Sequence, residues 1–224
     1  MKRCCIIVAG GQGLRMGGDI PKQFLSLGSR TVLMHTIARF YDFDPQIDII
    51  LVLPAVHIPL WEAQKSEYSF EIPHRVVTGG SERFHSVSAG LAAAADDSLI
   101  AIHDGVRPFV SHETIKRCFR EAEKNGMAVP FVEPTDSVRI QKEYDTIAVP
   151  RRDVKLIQTP QVFRSRLIKE AYECGFRPEF TDDASVAEAA GHKVNLVPGN
   201  RENIKITRPE DIIIARAILA SMKE

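Results

Sequence analysis

An apolar run over residues 4–9 gives way at once to Gly10, Gly11, Gln12, Gly13, Leu14, Arg15, Met16, Gly17 and Gly18, and then to Pro21, Lys22 and Gln23. Small residues let a backbone approach an anion closely, so that its N–H groups converge on phosphate oxygens, and Arg15 and Lys22 bring the charge such an anion needs. A flexible surface turn would account for the glycines but not for the paired cations. The chemistry implied is phosphate chemistry. It is not the dinucleotide fingerprint, because Gly11 and Gly13 match its first two glycines while Met16 stands where the third belongs. Nor is it a Walker A loop, since no Gly-Lys-Ser or Gly-Lys-Thr follows.

Four further clusters carry chemistry. Residues 79–86, Gly-Gly-Ser-Glu-Arg-Phe-His-Ser, follow a strand and open a helix, where backbone N–H groups at Gly80 and Ser81, the Ser86 hydroxyl and the charge of Arg83 suit a base edge or a phosphate. A turn with an ordinary cap is the plainer account of the same residues. His103-Asp104-Gly105-Val106-Arg107-Pro108 follows an apolar strand. A carboxylate there suits Mg²⁺, with Arg107 orienting it or meeting a phosphate, while an Asp-Arg pair closing a turn is the competing account. His103 has no companion at metal-ligand spacing and reads as a hydrogen-bonding residue. Thr159-Pro160-Gln161, with Arg151 upstream, and Thr181-Asp182-Asp183-Ala184-Ser185 are the remaining pair, the aspartates serving equally well as helix caps. Near the end, Lys205 sits in an apolar stretch, 203–207, that reads as a short strand, where an ammonium must find an anion.

The elements that position these residues alternate. Apolar strand segments at 4–8, 47–53, 75–78, 99–103 and 127–132 are separated by helical patterns at 32–41, 58–66, 84–95 and 114–124. Strands apolar on both faces imply a mostly parallel sheet covered by helices, an α/β three-layer sandwich of Rossmann type, with ligands beyond the carboxyl ends of the strands. That rule puts the 10–18 and 103–108 loops on one rim. The rhythm breaks at 133–153, where the Lys142-Glu143 pair reads as the tip of a protruding hairpin, or β-arm. Beyond it come a segment at 154–157, a helix at about 166–174, a short helix after Asp183 and a strand at 194–197. Thr207 and Glu210 have capping-box spacing for a last helix, with Pro209 in its first turn.

A chain of 224 residues suffices for a single domain, and 29 basic against 29 acidic side chains exclude the electrostatic wrapping of nucleic acid or of an anionic membrane. Cys4, Cys5, Cys118 and Cys174 lack ligand-like spacing and read as reduced structural thiols. The first apolar run is too short for a signal peptide or a membrane span, so a cytoplasmic protein is expected.

Taken together, these motifs resemble the 2-C-methyl-D-erythritol 4-phosphate cytidylyltransferase family, in family order and over essentially the whole chain. The resemblance implies a nucleotidyltransferase whose segment 9–23, including Ala9, Gly10, Gly11 and Gly13, wraps the CTP triphosphate. Arg15 and Lys22 are similar to that family's transition-state-stabilising cations. It implies that Gly80, Ser81, Arg83 and Ser86 surround the cytosine and ribose, that Asp104 holds Mg²⁺ or another divalent cation beside Arg107, and that Arg151, Thr181 and Lys205 hold the sugar-phosphate acceptor. It also implies a C2 homodimer made through the arm, with Arg151 completing either its own or the neighbouring site. Two departures stand out. Gly105-Val106 replaces a common Ala-Ala, which implies a looser loop, and Pro150 precedes Arg151 where many members have Asp, which leaves Arg152 as a substitute. Ribitol-5-phosphate cytidylyltransferase is the nearest alternative. A sugar-1-phosphate nucleotidylyltransferase would require a different acceptor end, the misplaced third glycine disfavours an NAD-linked oxidoreductase, and a non-enzymatic nucleotide sensor would release no pyrophosphate.

Overall fold

The computed structural model describes residues 1–10 and 20–222. Its strands are β1 (Lys2–Val8), β2 (Ser26–Leu27), β3 (Arg30–Thr31), β4 (Asp48–Leu53), β5 (Arg75–Thr78), β6 (Ser98–Asp104), β7 (Met127–Val132), β8 (Val138–Gln141), β9 (Thr146–Val149), β10 (Leu156–Ile157), β11 (Gln161–Arg164) and β12 (Leu196–Pro198). The helices are α1 (Val32–Phe43), α2 (Ile58–Glu67), α3 (Arg83–Ala93), α4 (His112–Asn125), α5 (Ser165–Tyr172), α6 (Asp183–Ala189) and α7 (Pro209–Ser221).

Side chains of a strand alternate between faces, and β1 shows the consequence. Cys5 and Ile7 enter a core with Leu33 and Ile37 of α1, Trp61 of α2 and Ile115 of α4, whereas Cys4 and Ile6 enter a second core with Val87 and Leu91 of α3 and Ile168 of α5. The central strands β4 and β6 and the inner part of β1 are mostly apolar because both their faces are covered. The main sheet runs β10-β7-β11-β6-β1-β4-β5, with β12 also on β7. β1, β4, β5 and β6 are mutually parallel where they pair, and β11 is the antiparallel insertion between β6 and β7. The sequence pattern did not single out β11, whose four residues carry no turn signal of their own. A third cluster joins Ile206 and Ala215 of the C-terminal region to Leu27, Val32, Val106 and Phe109.

Parallel pairing also builds the rim. Val8 lies opposite Val52 and Asp104, and the ladder continues past the strand ends, Ala9 N–H donating to the Val52 carbonyl at 3.0 Å, Gly79 N–H to Leu53 at 2.8 Å and Gly105 N–H to Val8 at 2.9 Å. Three loops are thereby pinned at one level. The arm forms as expected, with β8 and β9 antiparallel in a sheet of their own.

Two local readings need correction. Residues 203–207 form no strand; Asn203 and Ile204 N–H turn back to the Asn200 and Glu202 carbonyls, and Ile206 N–H donates to the Val106 carbonyl at 3.0 Å. The last helix is capped one residue later than expected. Arg208 is its N-cap, and Asp211, not Glu210, reaches back to accept from the N–H groups of Thr207 at 2.7 Å and Arg208 at 2.8 Å and from the Thr207 hydroxyl.

Gly90 lies on α3 against the sheet, where an added Cβ would stand 2.6 Å from Ile6 Cγ2 and 3.2 Å from Val52 Cγ2. On helix propensity alone Gly90→Ala gains about 1 kcal/mol. Overpacking against two fully buried strand residues costs about 1–3 kcal/mol, so the variant is expected to be less stable than the parent. A urea midpoint that rises in Gly90→Ala would show that α3 can back away from the sheet freely.

Candidate active site

The rim encloses a cavity of about 240 Å³ lined by Ala9, Gly10, Lys22, Gly80, Ser81, Arg83, Ser86, Asp104 and Lys205 among others. Nine residues singled out from four separate motifs thus share one space. Gly11, Gly13 and Arg15 lie outside the described residues. Gln23, fully buried, donates from Nε2 to the Ala9 carbonyl at 2.9 Å, which ties the residues after the glycine loop to the strand before it.

Asp104 stands at the end of β6, almost wholly buried. Its Oδ2 receives Arg107 Nε at 3.0 Å and Lys205 Nζ at 3.1 Å, and its Oδ1 faces Arg83 Nε at 3.8 Å. Burial alone would raise its pKa, but Lys205, Arg83 and Arg107 together hold the carboxyl well below the usual carboxylate range. The anion Lys205 was expected to need is therefore Asp104 itself, with the ammonium half-exposed toward the cavity. Arg107 does not line the cavity. It is spent behind Asp104, its Nη1 donating to the Asn203 carbonyl at 2.9 Å.

Arg83 is held from the other side. Its Nη1 and Nη2 donate to the two oxygens of Asp183 at 2.8 and 2.6 Å, and Tyr172 Oη donates to the same carboxylate at 2.7 Å. Burial opposes the charge on Arg83, and the Asp183 carboxylate overrides that cost and raises the guanidinium pKa. Sequence reasoning left the Asp182-Asp183 doublet open between capping and site duty, and only half of it caps. Asp182 caps α6, accepting Ser185 N–H at 2.9 Å, while Asp183, one residue on, is fully buried and serves the cavity wall. The acidic doublet was the available signal; its two members differ because successive residues at a helix start face different ways.

The turn before α3 is shaped by close approach. A Cβ on Gly79 would lie 2.7 Å from Ser86 Oγ, and one on Gly80 2.4 Å from His85 Cβ, so larger residues would push the turn off the helix. Ser86 Oγ in turn reaches the Gly80 carbonyl at 3.4 Å. The expected looseness at Gly105 is not found. Its N–H is bound to Val8, its carbonyl accepts the Thr36 hydroxyl at 3.1 Å, and a Cβ there would stand 2.8 Å from Ala9 Cβ. Glycine here permits contact between neighbouring loops rather than motion.

Besides Arg107, two more expected site residues are not brought to the cavity. Arg151 opens a short 3-10 turn at the base of the arm and donates to the Thr135 carbonyl at 2.6 Å, and Thr181 is exposed in the loop before α6. Arg152 is exposed beside Asp153. Among the described residues no group of three or more His, Cys, Asp or Glu side chains is placed to hold a metal.

The solved structures that this fold resembles belong to nucleotide-transferring enzymes. A 4-diphosphocytidyl-2C-methyl-D-erythritol synthase of Anaerococcus prevotii superposes with a TM-score of 0.84 at 33% identity, over 98% of this chain and 96% of that one. A 2-C-methyl-D-erythritol 4-phosphate cytidylyltransferase of Thermus thermophilus gives 0.81 at 32% identity, over 98% and 100%. Sequence comparison narrows the class. Cytidylyltransferases of that name from Phocaeicola vulgatus and Bacteroides fragilis are 50% and 51% identical over 98% of this chain and 100% of theirs. The family model for 2-C-methyl-D-erythritol 4-phosphate cytidylyltransferase matches residues 3–221, and the chain belongs to that family.

His103, next to Asp104, is fully buried, and burial lowers its pKa to about 4; burial also lowers His57, His74 and His112. Each folded pKa lies below the roughly 6.5 of a free imidazole, so on acidification the unfolded chain takes up protons that the folded chain refuses. Stability should be complete above about pH 6.5 and drain away as the pH falls from there toward about 4. A urea midpoint that holds or rises between about pH 7 and about pH 5 would contradict this.

Proposed function

We propose that this chain transfers the cytidylyl group of CTP to 2-C-methyl-D-erythritol 4-phosphate, releasing pyrophosphate and 4-diphosphocytidyl-2-C-methyl-D-erythritol. The observation that carries the site assignment is the gathering of Arg107, Lys205 and Arg83 on one buried carboxylate beside the glycine turn. An oxygen of the acceptor phosphate attacks the α-phosphorus of CTP, a new P–O bond forms, and the bond to the β-phosphate oxygen breaks. The attacking oxygen is already anionic, so no general base is needed. Catalysis rests on position and on charge neutralisation.

In this reading Lys22 and Arg15 neutralise the triphosphate as charge moves to the leaving group, and Gly80, Ser81 and Ser86 receive the base. Asp104 fits a Mg²⁺ site of the kind that takes one protein carboxylate and completes its shell with phosphate oxygens and water, since Oδ1 makes no hydrogen bond among the described residues. Bound there, the cation would supply charge neutralisation at the phosphates. Lys205 holds Asp104 ionised and extends positive charge toward the acceptor.

CTP should be turned over in preference to UTP, because cytosine brings an exocyclic amine donor and an unmet backbone acceptor costs about 1–3 kcal/mol. Asp104→Asn should lose metal-dependent turnover while remaining folded. Pyrophosphate release measured with both nucleotides decides the matter; equal rates at low nucleotide would remove the base site from residues 79–86.

The arm supports a homodimer. A two-stranded hairpin is marginal alone in water, and this one exposes Ile140, Tyr144 and Ile147 at 51%, 92% and 51%. In the dimer, Arg151 at the arm's base and Thr181 would meet the acceptor phosphate, Arg151 from the neighbouring subunit. The cytoplasm is the proposed location, in keeping with four free thiols; no described helix is long and apolar enough to cross a membrane. Replacing the arm by a short Gly/Ser turn that spares Arg151 should give monomers by light scattering, with transfer reduced and CTP binding kept. An arm-less protein that stays dimeric and fully active would overturn both the interface and the shared site.

A further inference from the structure

Thr159 lies outside the cavity, yet its hydroxyl joins two residues of the Asp104 loop. Thr159 Oγ1 accepts the backbone N–H of Asp104 at 3.1 Å and lies 2.9 Å from His103 Nδ1. His103 Nε2 lies 3.0 Å from the Arg107 carbonyl, which can only accept, so Nε2 carries the ring proton and Nδ1 is left as an acceptor. The Thr159 hydroxyl must then donate to His103, which frees its lone pairs for Asp104. Every proton in this chain has one direction. On its other side the Thr159 carbonyl accepts Asn203 Nδ2 at 2.8 Å, and the Asn203 carbonyl accepts Arg107 Nη1. Two residues beyond Asn203 comes Lys205, which returns to the Asp104 carboxylate. Thr159 is 5% exposed and His103 and Asn203 are fully buried, so water offers these groups no alternative partners.

We propose that Thr159 is a positioning residue for the transfer reaction: its hydroxyl sets the backbone at Asp104, and its carbonyl, through Asn203, sets the segment that delivers Lys205 to the same carboxylate. It acts through Asp104, and so rests on the role assigned to that residue above. The hydroxyl is required in both directions at once, as donor and as acceptor. A side chain of equal volume without it leaves the Asp104 N–H and His103 Nδ1 buried and unmet.

The test is a series at position 159 in the full-length protein: Ser keeps the hydroxyl, Cys offers a weak thiol, and Val keeps the volume alone. With Mg²⁺, CTP and the acceptor saturating, kcat should fall in the order Thr, Ser, Cys, Val, by about tenfold or more at Val, while CTP affinity stays within about twofold. In an Asp104→Asn background the Thr159→Val loss should shrink toward nothing, since both changes strike one unit. A merely structural role would lower the urea midpoint and leave kcat of the folded enzyme unchanged. The Ser and Cys variants decide the order even if Thr159→Val fails to fold. Wild-type kcat in Thr159→Val or Thr159→Cys beside an impaired Asp104→Asn overturns the proposal alone, as does full additivity of the two changes. Full turnover in Asp104→Asn overturns the role of Asp104 and the proposal with it.

Discussion

A carboxylate removed from water must be paid for locally, and Asp104 is the place where this structure meets that requirement. Its partners arrive from three separate stretches of chain: Arg107 from its own loop, Arg83 from the start of α3 and Lys205 from the irregular segment before α7. Each has a second attachment or a fixed path, Arg107 to Asn203, Arg83 to Asp183, and Lys205 through the Ile206 bond to Val106. Remove the carboxylate and three cations face one another without an anion between them. The arrangement is held by the parallel sheet, which fixes the ends of β1, β4 and β6 at one level.

What could be read in the sequence follows from how local each signal is. The glycine turn at 79–80, the carboxylate after an apolar strand and the hairpin arm each announce themselves within ten or so residues of chain, and each is where it was expected. The buried pair of Arg83 with Asp183 spans 100 residues, and the contact of Asn203 with Arg107 spans 96, so neither partner carries a mark that names the other. Lys205 was recognised as anomalous in an apolar stretch, but the strand drawn around it was wrong because Ile204 and Ile206 face a small separate cluster under α7 rather than a sheet. Gly105 was read for its freedom when what matters is its size. Burial decides these cases, and burial is a property of the fold rather than of any short window.

The same contrast separates the two halves of the site. The described cavity wall around Asp104, Arg83 and Asp183 lies within the α/β body and is packed and bonded within one chain. Of the groups expected to meet the acceptor, Lys205 stands in that wall, while Arg151 is at the arm's base and Thr181 in the loop before α6, both exposed. On the proposed reading, nucleotide recognition is rooted in the packed body of the molecule, while acceptor recognition lies partly at its periphery, where changes of residue disturb no core. Divergence toward other sugar phosphates would have the least resistance there.

The cluster that seats Ile206 and Ala215 against Leu27, Val32, Val106 and Phe109 bears on the order in which the protein becomes active. During synthesis, β1, α1, β4 and β6 are made long before residue 205, and they have the local and mid-range contacts to collapse around their own apolar faces. Lys205 enters only when the segment leading into α7 closes over loops that are already in place. A nascent chain can therefore hold a nearly complete sheet and still present an Asp104 that lacks one of its cations, so on the proposed reading an immature or truncated product would be catalytically silent.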